Sequence, residues 1–136
     1  MTASAIDLQR AIFKALSEDA ALVAALGGPR IYDPAPANVA FPYITFGRTS
    51  TYDWSTGTEI GSEHLLTLHF WSKAQGKAEA AELMELARQA LGDGELAMER
   101  QRLVNLRLEF SEIRFDEDLT LYHGLLRFRA VMEEVG

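Results

Sequence analysis

Glu63-His64-Leu65-Leu66-Thr67-Leu68-His69-Phe70-Trp71 decides the fold. Leu66, Leu68 and Phe70 alternate with Leu65, Thr67, His69 and Trp71, so a strand here carries one wholly apolar face and one mixed face. An earlier run, Tyr43–Gly47, predicts a partner strand, with Pro42 at its start or on an edge, where a missing amide costs least. Between them lies a polar connection, Arg48–Ser62, whose ends are able to extend both strands into an arm. A sheet with one apolar and one mixed face suits helices on one side and water or a partner on the other.

Outward from this stretch, the chain has 136 residues, which predicts a single domain over residues 1–136. At that size folding buries roughly 68% of the unfolded chain's surface, enough for a core without staples. The absence of cysteine excludes a disulfide framework and a thiolate metal site. No apolar run is long enough to span a membrane, and no basic segment followed by an apolar one opens the chain, so synthesis in the cytoplasm is expected. A formal charge of −7 argues against binding nucleic acid by phosphate neutralisation.

Before the first strand, Ser4 is expected to cap a helix with Ile6, Leu8, Ala11, Ile12, Ala15 and Leu16 as its apolar stripe. Ser17-Glu18-Asp19 offers a fresh cap for residues 20–26, as a second helix or the continuation of a bent one, and Gly27-Gly28-Pro29 ends it. Ile31-Tyr32 is a short apolar pair, and residues 33–38 are a proline-bearing loop. After Trp71, Ser72-Lys73-Ala74-Gln75 matches a capping box, with Gly76 able to delay the helix. Ala80, Leu83, Met84, Ala87 and Leu91 give that helix a core-facing side, and Gly92-Asp93-Gly94 stops it.

Residues 95–101 read as a linker. Two long strands, 102–115 and 119–133, then form a hairpin about Asp116-Glu117-Asp118. In the first, Val104, Leu106, Leu108 and Phe110 are expected on the core side, and Asn105, Arg107, Glu109 and Ser111 on the other. In the second, Tyr122, Leu126, Phe128, Ala130 and Met132 oppose His123, Leu125, Arg127, Arg129 and Val131, with Gly124 marking a bulge or a close approach. The expected fold is therefore α+β: a four-stranded, largely antiparallel sheet with helices packed on one face.

The chain offers little for catalysis. His64 and His69 point to opposite faces of one strand, and His123 reaches His69 only if the register allows. Each histidine is expected at the surface or half-buried. No HExxH, phosphate-loop, GxGxxG or GxSxG pattern occurs, and neither cofactor nor metal is expected. Two features invite a partner. Arg107, Glu109, Arg127 and Arg129 recur on the polar sheet face, either as solvated ion pairs or as a subunit interface. Tyr52, Asp53 and Trp54 sit in the polar arm, where the two rings either fold back onto the body or contact a partner.

Phe41-Pro42-Tyr43-Ile44-Thr45-Phe46-Gly47, Asp53-Trp54-Ser55-Thr56, Glu63-His64 and Leu68-His69-Phe70-Trp71-Ser72 resemble a family of tail-completion proteins. These belong to long-tailed bacteriophages and phage-derived gene transfer agents. Tyr122-His123-Gly124 with Arg127-Phe128-Arg129-Ala130, and Leu8-Gln9, Ala15-Leu16-Ser17 and Ile31-Tyr32-Asp33, extend the resemblance over essentially the whole chain. It implies a non-enzymatic virion protein, a tail terminator. Such proteins form a ring, usually a hexamer, on the head-proximal end of the tail tube. The implied partners are copies of the chain, the tail tube protein and the head-side connector, with DNA passing through unbound. Arg107, Glu109, Arg127 and Arg129 would face the neighbouring subunit, and Tyr52, Asp53 and Trp54 the tube or a neighbouring ring. A stopper or adaptor between portal and tail is the nearer alternative. A small α+β enzyme or ligand-binding domain is the more distant one.

Overall fold

A computed structural model describes residues 2–53, 55–58, 60–92, 96, 98 and 101–134. The elements are α1 (Thr2–Ser17), α2 (Ala20–Leu26), β1 (Ile31–Tyr32), β2 (Tyr43–Asp53), β3 (Gly61–Ser72), α3 (Ala78–Leu91), β4 (Gln101–Asp116) and β5 (Leu121–Glu134). The strands form one sheet in the order β1-β2-β3-β5-β4. All pairs are antiparallel except β1 with β2. The fold is α+β, as expected, but among the described residues the sheet is mixed and has five strands rather than four. The added strand is the pair Ile31-Tyr32, whose two residues are too few to show a period; Ile31 is buried and sits beside Ile44.

The apolar alternation of β3 places Leu66, Leu68 and Phe70 in the core, joined there by Leu126, Phe128, Ala130 and Met132 of β5. The expected side of α3, Ala80 through Leu91, covers them. Gly124 permits this cover at close range. A Cβ there would stand 2.5 Å from Met84 Sδ and 3.3 Å from Phe70 Cβ, so it marks a close approach and not a bulge.

Two helices form at the start. Asp19 caps α2 by accepting a hydrogen bond from the Leu22 amide at 2.9 Å. Gly27 ends it in the left-handed region at φ 81°, with the Gly28 amide bonded back to the Val23 carbonyl. Arg30 then donates to the Leu26 carbonyl at 2.8 Å and the Phe41 carbonyl at 3.0 Å, tying the end of α2 to the entry of β2. In α1 the buried line is Leu8, Ala11, Ile12 and Leu16. Ile6, expected in that stripe, is 43% exposed, because two residues of helix turn it roughly 200° from Leu8. Ser4 lies inside α1 instead of capping it, since the helix begins at Thr2.

The capping box at residues 72–75 is not formed. Gly76 turns the chain at φ 90° and α3 starts at Ala78 without a side-chain cap. Ser72 instead accepts from the Ala74 amide and donates to Glu79 Oε1 at 2.6 Å. Gly92 closes α3, while Asp93 and Gly94 lie outside the described residues.

In β4 the expected faces fail at two register shifts, one between Leu103 and Asn105 and one between Leu108 and Phe110. Each shift inserts a residue and flips the alternation. Leu103, Leu106 and Leu108 pair with core-facing Met132, Ala130 and Phe128, whereas Phe110 pairs with Arg127 on the opposite face. Val104 and Glu109 fall in the shifts and have no direct cross-strand partner. The hairpin turn is residues 117–120; Asp116 still belongs to β4 and accepts from the Leu119 amide at 2.9 Å.

Removing the Phe70 ring should cost about 3–5 kcal/mol as a cavity opens under α3. Gly124→Val should cost about 1–3 kcal/mol by overpacking against Met84. Urea unfolding of both variants beside the parent checks the pair. Parent-like stability of Gly124→Val would show that α3 does not seat on the strand at this point.

Candidate functional site

The helices leave the other face of the sheet open, and that face has two ends of different chemistry. At one end the pairs Tyr43–Trp71, Trp71–His123 and His123–Arg114 align across four strands. Their rings stack. Trp71 lies 4.2 Å from His123 with 4° between planes, and 6.1 Å from Tyr43 at 24°. Trp71 Nε1 donates to Thr45 Oγ1 at 3.0 Å. Tyr32 and Phe41 flank Tyr43, and the Lys73 ammonium sits 4.4 Å from the centre of the Phe41 ring. Burial pushes the Tyr43 phenol up from its ordinary pKa.

The register also brings two histidines together. His69 Nδ1 and His123 Nε2 share a hydrogen bond of 2.7 Å. One nitrogen must donate and the other accept, so the pair is built for a neutral or singly protonated state. Burial holds both pKa values down, and for His123 the neighbouring His69 adds to the depression. The His69 ring lies over the shifted segment of β2, where a Cβ on Gly47 would come within 2.2 Å of Nε2. The third histidine corrects the expectation of surface or half-buried positions: His64 is fully buried on the core face. It shares hydrogen bonds with Thr51 Oγ1 at 3.2 Å and Ser62 Oγ at 2.8 Å, and burial lowers its pKa too. It thereby staples β2 to β3 at the base of the arm. Among the described residues no group of three or more potential ligands is placed to hold a metal ion.

The other end of the open face is charged. Arg129 donates to Glu63 across the β3–β5 ladder, with Nε at 2.8 Å. That carboxylate offsets the repulsion between Arg129 and Arg107, which oppose each other directly. Arg127 covers the Phe110 ring at 5.2 Å from its centre. Thus Arg107, Arg127 and Arg129 share the open face, while Glu109 stands at the second register shift of β4. Arg107 also lines, with Arg88, Asn105 and Phe128, an open groove of about 350 Å³ beside the end of α3. The ends of the polar connection extend both strands into an arm, as expected: β2 runs to Asp53 and β3 begins at Gly61. Tyr52 is more than half exposed and pairs with Glu63, and Asp53 pairs with Ser62 at the end of the ladder. Trp54 lies outside the described residues.

Sequence reading did not find the aromatic stack. Its members are 28 and 52 residues apart along the chain (Tyr43 to Trp71, Trp71 to His123), and only the strand register joins them. All three imidazoles have folded pKa values below the ordinary 6.5. A base depressed by folding contributes stability that is present above about pH 6.5 and lost as pH falls through the folded values. Urea midpoints should be flat above that pH and decline below it. A His64→Gln, His69→Gln, His123→Gln triple variant should lose much of that decline. An equal slope in the variant would assign the acid sensitivity to carboxylates.

Comparison with known proteins agrees with this architecture. The family model described as tail completion protein gp17 matches residues 10–133. A chain in a structure described as the virion of a native gene transfer agent (GTA) particle is 31% identical, with a TM-score of 0.86 over 95% of this chain and 96% of that one. The bacteriophage SPP1 gp17 protein shares the fold, with a TM-score of 0.61 at 19% identity over 98% and 91% of the two chains. No curated protein matches. Matched across residues 10–133, the chain belongs to the tail completion protein gp17 family.

Proposed function

We propose that this chain is a tail terminator: a structural virion protein that caps the tube of a phage or phage-like tail at its head-proximal end. Membership of the tail-completion family carries the reading, together with the relative found in a gene transfer agent virion. The chain acts as one of several identical copies in a ring, six by this reading, which stops tube growth and offers a surface to the head-side connector.

Several physical features support it. The two edges of the sheet differ, one formed by β4 and the other by β1 with β2, as a head-to-tail ring requires. Arg107, Glu109 and Arg127 are exposed or half-exposed and face the adjacent copy in this reading, while Arg129 is steadied by Glu63 in its own chain. Tyr52 and Asp53, with Trp54 beyond them, meet the tube or a neighbouring ring. A formal charge of −7 lets DNA pass without adhering. Assembly takes place in the bacterial cytoplasm, where the tail is built. The role is one of fit and closure, and assigns the chain no reaction.

Electron microscopy of the cognate tail tube protein, polymerised with and without this chain, tests the reading. Tubes of bounded length with an extra ring at one end are expected. Unlimited tubes with no end ring would remove it and make the chain a stopper or adaptor that binds the connector alone. Two variants refine the test. Arg127→Glu should block ring closure in a folded monomer, and Tyr52→Ala should weaken attachment to the tube by about 1–2 kcal/mol, the range for a contact residue of this kind. Unaltered rings or attachment would return those side chains to solvent.

A further inference from the structure

The strand register places the two open edges of the sheet at matching heights. Among the described residues β1 covers only Ile44 and Thr45 of β2, and no strand pairs with the outer side of β2 from Phe46 onward. Across the sheet, one row runs Thr49, Leu66, Phe128, Leu108, and another runs Phe46, Leu68, Leu126, Ser111. A third runs Tyr52, Glu63, Val131, Asn105. The open part of β2 therefore stands level with residues 103–111 of β4, the opposite edge.

Those residues of β4 are the ones that look unfinished. Val104, Leu108 and Phe110 are 44%, 37% and 41% exposed on a long edge strand without proline or lysine, whose other charges and two register shifts guard it against indiscriminate pairing yet leave these side chains uncovered. The irregularities coincide as well. The shift in β2 falls between Phe46 and Thr49, and the second shift in β4 falls between Leu108 and Phe110, on neighbouring rows. Each puts one exposed charge at that height, Arg48 on β2 and Glu109 on β4. β2 and β4 run in opposite directions within the sheet, since three antiparallel pairings separate them. A neighbour related by rotation about an axis along the strands would thus present β4 antiparallel to β2, the stronger ladder.

We propose that copies of this chain join edge to edge, residues 103–111 of β4 pairing with residues 46–53 of β2 in the next copy, with Glu109 opposite Arg48, so that one sheet runs unbroken around the ring. The pairing is heterologous and closes only as a ring. It rests on the terminator reading for its ring and sharpens it: the strand edges with Glu109 and Arg48 make the contact, and Arg107 and Arg127, which reaches over Phe110 of β4, stand on the open face beside that seam.

The natural absence of cysteine gives a clean test. The full-length Arg48→Cys, Glu109→Cys double variant is mixed with the cognate tube protein, oxidised, and examined by non-reducing gel and electron microscopy. A ladder of covalent multimers ending at the ring size supports the pairing. The control Arg48→Cys, Arg114→Cys places the second thiol several rows away and should give no ladder. End rings with no cross-link at Arg48 and Glu109, or with the cross-link in the control alone, overturn edge pairing and leave the ring reading standing. A ladder without bounded tubes supports the pairing while removing the terminator reading; neither ladder nor rings removes both. A charge swap supplies a second readout. Arg48→Glu should reduce assembly at least several-fold, and adding Glu109→Arg should restore it. A swap that fails to rescue assembly overturns the proposed opposition of these two residues.

Discussion

The ladder between β3 and β5 holds the molecule together. It runs without a register shift from Gly61 opposite Glu133 to Ser72 opposite Tyr122. Because side chains alternate strictly along both strands, this one register assigns every residue of the sheet's centre to a face. It sets Leu66, Leu68, Phe70, Leu126, Phe128 and Ala130 beneath α3. By the same step it brings His123 over Trp71 and within hydrogen-bond reach of His69, and Arg129 onto Glu63. Core and open face are two results of a single alignment. A slip by one residue would bury arginines and expose the core.

The outer strands depart from this regularity. Both β2 and β4 carry register shifts, while the central strands pair without one. Such shifts bend and twist a strand, and they cost least where one side has no partner. The arm formed by the far ends of β2 and β3 has its own fastening in His64, buried between Thr51 and Ser62. A buried imidazole with both nitrogens occupied is fully satisfied, so the arm is anchored by a polar contact where apolar packing thins out.

What the sequence shows of this fold follows from where periodicity is strong. The alternation of β3 and the helical spacing of Ala80 to Leu91 are legible because one face of each is buried continuously. The caps of α2 are legible because Asp19 and Gly27 do local work. β1 was hidden because two residues have no period, and Phe110 was misassigned because a shift one residue earlier inverts the pattern. Of the candidate site, the shared face of Arg107, Arg127 and Arg129 was readable from strand parity, as was the placement of Tyr52 and Asp53 in the arm. The pairing of His69 with His123 was not, since it depends on alignment between strands 54 residues apart, which local pattern does not encode.

Four long strands lie side by side in each copy, β2, β3, β5 and β4, with the short β1 set at the lower end of β2. Backbones in a sheet are spaced about 4.8 Å apart, so each copy joined by its edges would advance a ring by about 19 Å. Six copies joined at level edges would close a wall about 115 Å around and about 37 Å across at the backbone. The calibre of such a conduit would be set by hydrogen-bond spacing and strand count, both nearly invariant. Helices and loops on the outside would be free to diverge while the bore stayed the same.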